Sequence, residues 1–296
     1  MLPTSAPHFA GEIAFFRRVA SAFGGASPVS FRDARALGWG GLGLKRILAA
    51  VCALALAACG TIDAGRGDQA AAARLEAYRP FSASPVGLAV PLGWQNWLFG
   101  PLKPATEYQT RIDPLSGLTI VAAHADKSAS ALLLSLDAAA AQPRYVSWRW
   151  RTLGLIDGAD VSDAAHEDSP VRLLLGFEGD HSKLSFRDQM FAERVKLMSG
   201  QDMPYATLMY VWANGQAPES IIANPHTGRI RMLVVEAGGA HVGTWQQYTR
   251  DIRADYRRAF GEDPGPLVMV GIMTDTDNTQ RSVEAEYGDI RLLDAP

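Results

Sequence analysis

From residue 80 onward, apolar, β-branched and aromatic residues gather in short runs separated by turn formers. Runs at 118–123, 131–136, 145–153, 171–178, 207–212, 220–223, 230–235, 267–274 and 283–293 are bounded by Gly, Pro, Asp or Asn and read as strands. Nine such runs without an alternating strand–helix rhythm predict a mostly β fold, an antiparallel β sandwich of jelly-roll type. Two segments keep a helical period. Residues 185–198 bring Phe186, Met190, Phe191, Val195 and Met198 toward one face and stop at Ser199 and Gly200. Residues 244–260 space Trp245, Tyr248, Ile252, Tyr256 and Phe260 by three or four and stop at Gly261 and Pro264. Both are expected to lie as covering helices on a sheet, and residues 80–296 are expected to form one sandwich domain.

The pattern changes upstream. Lys45 and Arg46 precede twelve apolar residues, 47–58, which end in small residues and Cys59. A cationic head, a short apolar run and a small-residue exit make a secretory signal. The run is short for a permanent span, which needs about 20 apolar residues. Leu56, Ala57, Ala58 and Cys59 resemble the lipobox of bacterial lipoproteins. That resemblance implies cleavage before Cys59 and acylation of its thiol. Gly60 in place of Asp after it implies sorting to the outer membrane. On this reading 44–59 are signal and lipobox, and 60–79, rich in Ala, Gly and Asp, are a tether. Residues 1–43 carry no clear period and are expected outside the fold, as an extension from a start assigned too far upstream or a non-globular segment.

Composition narrows the options. With 48% hydrophobic and 20% charged residues, the 296-residue chain is neither wholly disordered nor a polytopic membrane protein. Cys52 and Cys59 are its only cysteines, so a chain cleaved at Cys59 has no internal disulfide and relies on its core. Six of 28 basic and two of 31 acidic residues precede Cys59, which leaves 22 against 29 and a net charge of -7. Such a chain is no general binder of nucleic acid. It would be held on a membrane by lipid and not by its surface charge.

Candidate chemistry is sparse. Trp148 and Trp150 alternate with Arg149 and Arg151, so one pair of each shares a face. Two readings compete for these four and for Trp212 and Trp245: a saccharide platform of indoles with guanidinium donors, or core tryptophans with solvated arginines. The core reading is favoured for the tryptophans. Asp275 and Asp277, with Asp289 brought in from the last strand, could chelate Ca²⁺. The competing and favoured reading is a polar turn with Asp and Asn capping amides, and hence no cofactor. The six histidines form no HExxH, and the chain has no GxSxG elbow or GxGxxG loop. Among the carboxylates, Glu178, Glu236, Asp275 and Asp277 stand at strand ends, but none is singled out as a catalytic pair.

Four passages carry a further resemblance: Trp148 to Arg151; Leu208 to Trp212; Asp255 to Gly261; and Gly271 to Thr279 with Tyr287, Gly288, Asp289 and Ile290. Together they resemble an uncharacterised bacterial family, number 3047 among the domains of unknown function, over about residues 86–292. The resemblance implies no reaction. Where the family pattern places paired aspartates ahead of a strand arginine, this chain has Glu167 and Asp168 ahead of Arg172. The expected function is a non-catalytic, envelope-anchored binding module with a saccharide as candidate ligand. A polysaccharide hydrolase or lyase working through cleft carboxylates, and a structural or assembly lipoprotein, are the alternatives.

Overall fold

Along β5 (Tyr145–Thr152), Val146, Trp148 and Trp150 turn into a common core, whereas Arg149 and Arg151 point out. The same alternation organises the whole fold, seen in a computed structural model that describes residues 80–139 and 142–296. The signal run, Cys59, the tether and residues 1–43 lie outside the described residues.

Nine strands match the expected runs within a few residues. They are β3 (Thr119–Asp126), β4 (Ala129–Ser135), β5, β6 (Ser169–Phe177), β7 (Ala206–Ala213), β8 (Ile221–Ala223), β9 (Ile230–Ala237), β11 (Leu267–Asp275) and β12 (Ser282–Leu293). Three were not anticipated: β1 (Gln95–Leu98), β2 (Glu107–Ile112) and β10 (Gln246–Asp251). All three are edge strands, with polar residues and one paired side. Two sheets form, one of seven strands ordered β1-β4-β11-β6-β7-β9-β8 and one of five ordered β10-β5-β12-β3-β2. Pairing is antiparallel except between β7 and β9, which run parallel, so the larger sheet is mixed.

The sheets stack through large rings. Trp148 of the five-stranded sheet lies 4.8 Å from Tyr210 of β7, with near-parallel planes. Trp150, Trp212, Tyr287 and Phe177 fill the same layer. Phe81, close to the expected domain start, is fully buried in it. Interior hydroxyls are satisfied locally: Tyr108 donates to the Ser130 carbonyl at 2.8 Å, and Thr274 donates to that of Pro170 at 2.9 Å.

The helices correct the sequence reading. Helix α1 (Phe186–Ser199) forms as expected, capped by the Ser185 side chain and ended by Gly200 at φ 73°. Its packed side is Asp188, Phe191, Ala192, Val195 and Ser199, while Phe186, Met190 and Met198 are exposed. The expected helix over 244–260 splits. Its first part is β10, whose backbone pairs with β5 and sets Tyr248 opposite Trp148. Only Ile252–Phe260 is helical (α2), capped by Asp251, which accepts from the Ala254 amide at 2.9 Å. A three- and four-residue spacing of aromatics favours a helix, yet here Tyr248 turns to the core while Trp245, three residues earlier, lies on the arginine face. The unpaired edge of β5 decided for the strand.

Candidate functional site

The outer face of the five-stranded sheet is polar and built around arginine. Between Tyr287 and Ile290, β12 shifts register against β5, and Gly288 sits in that irregularity. A Cβ on Gly288 would fall 2.3 Å from Arg149 Nε, so the Arg149 side chain lies flat on the glycine backbone. From this seat Arg149 Nη2 donates to Ser116 Oγ at 3.3 Å. Its guanidinium carbon stands 4.6 Å from the Trp245 ring centre, and that of Arg151 5.0 Å.

Neighbouring charges are mostly paired. Buried Glu286 receives both Arg111 and Arg151. Buried Asp113 lies 3.9 Å from Arg151. Burial pushes the Asp113 carboxyl up, but hydrogen bonds from Ser116 and Leu115, with Arg151 nearby, hold it below the usual range. Three guanidiniums therefore face two carboxylates. Arg149 has no carboxylate within 4 Å among the described residues, and neither does Arg291, further along β12 on the same face. A cavity of about 510 Å³ opens along edge strand β2, at the other side of this sheet from Arg149, and is lined by Glu107, Gln109, Arg111, His124 and Glu284 among others.

Of the tryptophans expected at a platform, Trp148, Trp150 and Trp212 are core residues and cannot meet a ligand. Trp212 donates to the Gly238 carbonyl at 3.0 Å, and the other two pack on one another and on Tyr248. Trp245 differs: it is half-buried on the arginine face, and its Nε1 has no partner among the described residues. Sequence reading named Arg149, Arg151 and Trp245 but missed Arg111, Asp113, Ser116 and Glu286. Only Gly288, within one of the four motifs, hinted at the seat.

The aspartates form a second cluster, on the outer face of the seven-stranded sheet. Asp168, Asp275 and Asp277 approach within 4.8 Å of one another, and Asp289 is not among them. Asp289 instead accepts from Ser82 N at 2.8 Å and Ser82 Oγ at 2.6 Å, tying the first turn of the domain to β12. Each clustered carboxylate has donors of its own. Asp168 accepts from the Asn278 and Thr279 amides and the Thr279 hydroxyl. Asp277 pairs with Lys103 at 2.5 Å. Asp275 takes the Ser169 amide and the Arg172 guanidinium. Burial pushes Asp275 up to about 7 against the pull of Arg172, with the Asp168 and Glu167 charges adding to the rise. The arrangement is that of a turn capped by carboxylates.

The other strand-end carboxylates are also engaged. Glu178 meets His181 at 2.9 Å, and Glu236 accepts from the Tyr248 hydroxyl at 2.9 Å.

Two stacked sheets, a filled aromatic interior and a polar, arginine-bearing outer face define a β-sandwich domain. The chain belongs to the family described as "Protein of unknown function (DUF3047)", whose model matches residues 92–291. No curated protein matches the sequence. Among solved structures, the chain is similar to the K2 cleaved adhesin domain of Lys-gingipain, at 11% identity and TM-score 0.34 over 72% of this chain and 95% of that one. It is also similar to the xyloglucanase domain of NopAA, a type three effector from Sinorhizobium fredii in complex with cellobiose, at 9% identity and TM-score 0.34 over 67% and 91%. A third is a loop-swap mutant of Necallimastix patriciarum Xyn11A, at 10% identity and TM-score 0.32 over 67% and 89%.

Proposed function

We propose that this chain is an envelope-anchored lipoprotein, acylated at Cys59 and held at the periplasmic face of the outer membrane. Its sandwich acts as a non-catalytic binding module for a carboxylate-bearing saccharide. The observation that carries this reading is Arg149: a guanidinium fixed over Gly288, flanked by Trp245 and lacking a carboxylate. Guanidinium binds carboxylate in a planar, two-bonded geometry, and contact with Gly288 and Ser116 restricts this one before a ligand arrives. Ser116 and the half-buried indole add a hydroxyl and an apolar edge of the kind a pyranose ring meets. The net charge of -7 on the mature chain favours a sparsely charged glycan over a dense polyanion.

Titration calorimetry of the mature chain against uronate-containing oligosaccharides and their carboxyl-reduced counterparts tests the reading. The carboxylated form is expected to bind at least about tenfold tighter, the scale of one charge-assisted hydrogen bond. Arg149→Ala should abolish that preference. Equal binding of both forms, or none to either, overturns it. The anchor is read separately: fatty-acid label on wild-type protein should be absent from Cys59→Ala.

A further inference from the structure

Arg149 shares its face with a second free guanidinium. In β12, Ile290 and Leu292 turn toward the core, so Arg291 between them points out on the side of Arg149. It is exposed, and it stands opposite Ser147, two residues before Arg149 on β5. The two arginines thus occupy successive rungs of one sheet face on adjoining strands, with backbones about 7–8 Å apart. Neither has a carboxylate within 4 Å among the described residues, whereas Arg111 and Arg151 share Glu286 and Asp113. Four guanidiniums against two carboxylates leave this part of the face at +2, on a mature chain of -7. At the start of β5, Arg144 and Asp251 answer one another at 3.1 Å.

The residues beside them are polar and open. On β10, Tyr248 turns inward, which sends Gln247 and Thr249 out next to Arg149 and Ser147. Gln247 is exposed directly opposite Arg149. Thr249 Oγ1 donates to Ser147 Oγ at 3.1 Å, and Ser147 donates in turn to the Tyr248 carbonyl at 3.0 Å. Trp245 lies at one end of this strip, against Arg149 and Arg151, and Arg291 lies level with Thr249 at the other. From Trp245 to Thr249 the extended chain runs about 13 Å, room for more than one pyranose ring.

We propose that this face binds two acidic sugars in sequence along the line from Trp245 to Thr249, Arg149 taking one carboxylate and Arg291 the next. The inference deepens the saccharide reading above and rests on it. Arg149, held by Gly288 and Ser116, supplies the fixed contact. Arg291 has no such seat, and its flexible stem follows the second carboxylate as that ring settles. Further along the same sheet, Glu107 and Glu284 repel additional negative charge. A pair of adjacent uronates within a neutral chain therefore suits the face better than a long polyuronate.

Titration calorimetry of the mature chain with two trisaccharides of one linkage tests this. One carries two adjacent galacturonates and a neutral sugar, the other one galacturonate and two neutral sugars. Wild type is expected to bind the first about tenfold tighter, the scale of one more charge-assisted hydrogen bond. Arg291→Ala should bring the two to equal affinity, and Arg149→Ala should weaken both. Arg291→Lys, which keeps the charge and loses the two-bonded fork, should retain part of the advantage. Because Arg291 is exposed, the Tm of both its variants should match wild type. Equal affinity of wild type for the two trisaccharides, or an advantage that survives Arg291→Ala, overturns the proposal and leaves the carboxylate preference at Arg149 standing. A wild type that binds these trisaccharides and their carboxyl-reduced forms alike overturns the saccharide reading, and the proposal with it.

Discussion

Arg172 of β6 and Asp275 of β11 meet across the seven-stranded sheet in a buried two-bonded pair, Nε to Oδ1 at 2.9 Å and Nη2 to Oδ2 at 3.0 Å. Arg172 also donates to the Glu167 carbonyl at 2.9 Å and lies 3.4 Å from the Glu167 carboxylate. Asp168 is close by, so the one buried guanidinium answers several carboxylates and its own proton is held more tightly than usual. The partners are therefore unequal. Arg172→Met strands the acids around it and is expected to cost about 3–5 kcal/mol, the scale for an abandoned buried charge. Asp275→Asn keeps one acceptor for Arg172 and Ser169 and leaves Glu167 as counter-charge, so its cost at neutral pH should be about 1 kcal/mol. Denaturant unfolding of both variants checks this; equal losses would contradict the asymmetry.

The same crowding gives a pH dependence. Asp275 titrates at about 7 in the fold and near its ordinary 3.8 when unfolded. Between these values the native state holds a proton that the unfolded chain has released. Asp275 thus contributes stability that is full at about pH 4 and declines as pH rises to 7. The difference in Tm between wild type and Asp275→Asn should move against wild type across that window and be flat above it. Carboxylates held below their ordinary range, such as Asp113, Asp160 and Asp188, are common to both proteins and cancel.

Because every clustered aspartate already has donors, EDTA is expected to leave the Tm unchanged, and Asp277→Asn to cost at most about 1 kcal/mol. A cation bound there would stabilise by mass action, by about 2.7 kcal/mol at a hundredfold excess over its Kd. An EDTA-dependent fall in Tm, reversed by Ca²⁺ and missing in Asp277→Asn, is the result that would assign the cluster to metal.

Gly288→Ala tests the seat of Arg149 without touching the arginine. The new Cβ collides with Arg149 Cγ, Cδ and Nε, so the side chain must leave its seat. The loss of stability is expected to be about 1–3 kcal/mol, the scale of overpacking. Binding of the carboxylated glycan should weaken as in Arg149→Ala. A variant that binds normally would show that the glycine seat does not position the guanidinium.

The sequence by itself determined the two-sheet architecture, because a period of two leaves a strand little choice of face. Once Val146, Trp148 and Trp150 were buried together, Arg149 and Arg151 had to point out. It also determined where α1 starts and stops, since Ser185 and Gly200 act locally. Other features needed the third dimension. Residues 246–251 became a strand because β5 had an open edge, which no local periodicity records. The rotation of α1, which leaves Phe186 and Leu197 exposed, depended on which side could pack with Trp97 and Leu174, since the helix has apolar residues on both. The surroundings of Arg149 come from four segments: Ser116 after β2, Arg149 on β5, Trp245 before β10 and Gly288 in β12. Asp289 was drawn to Ser82 and away from Asp275 for the same reason. Side chains distant in sequence meet only through sheet order and register, and these are set by the packing of the whole sandwich.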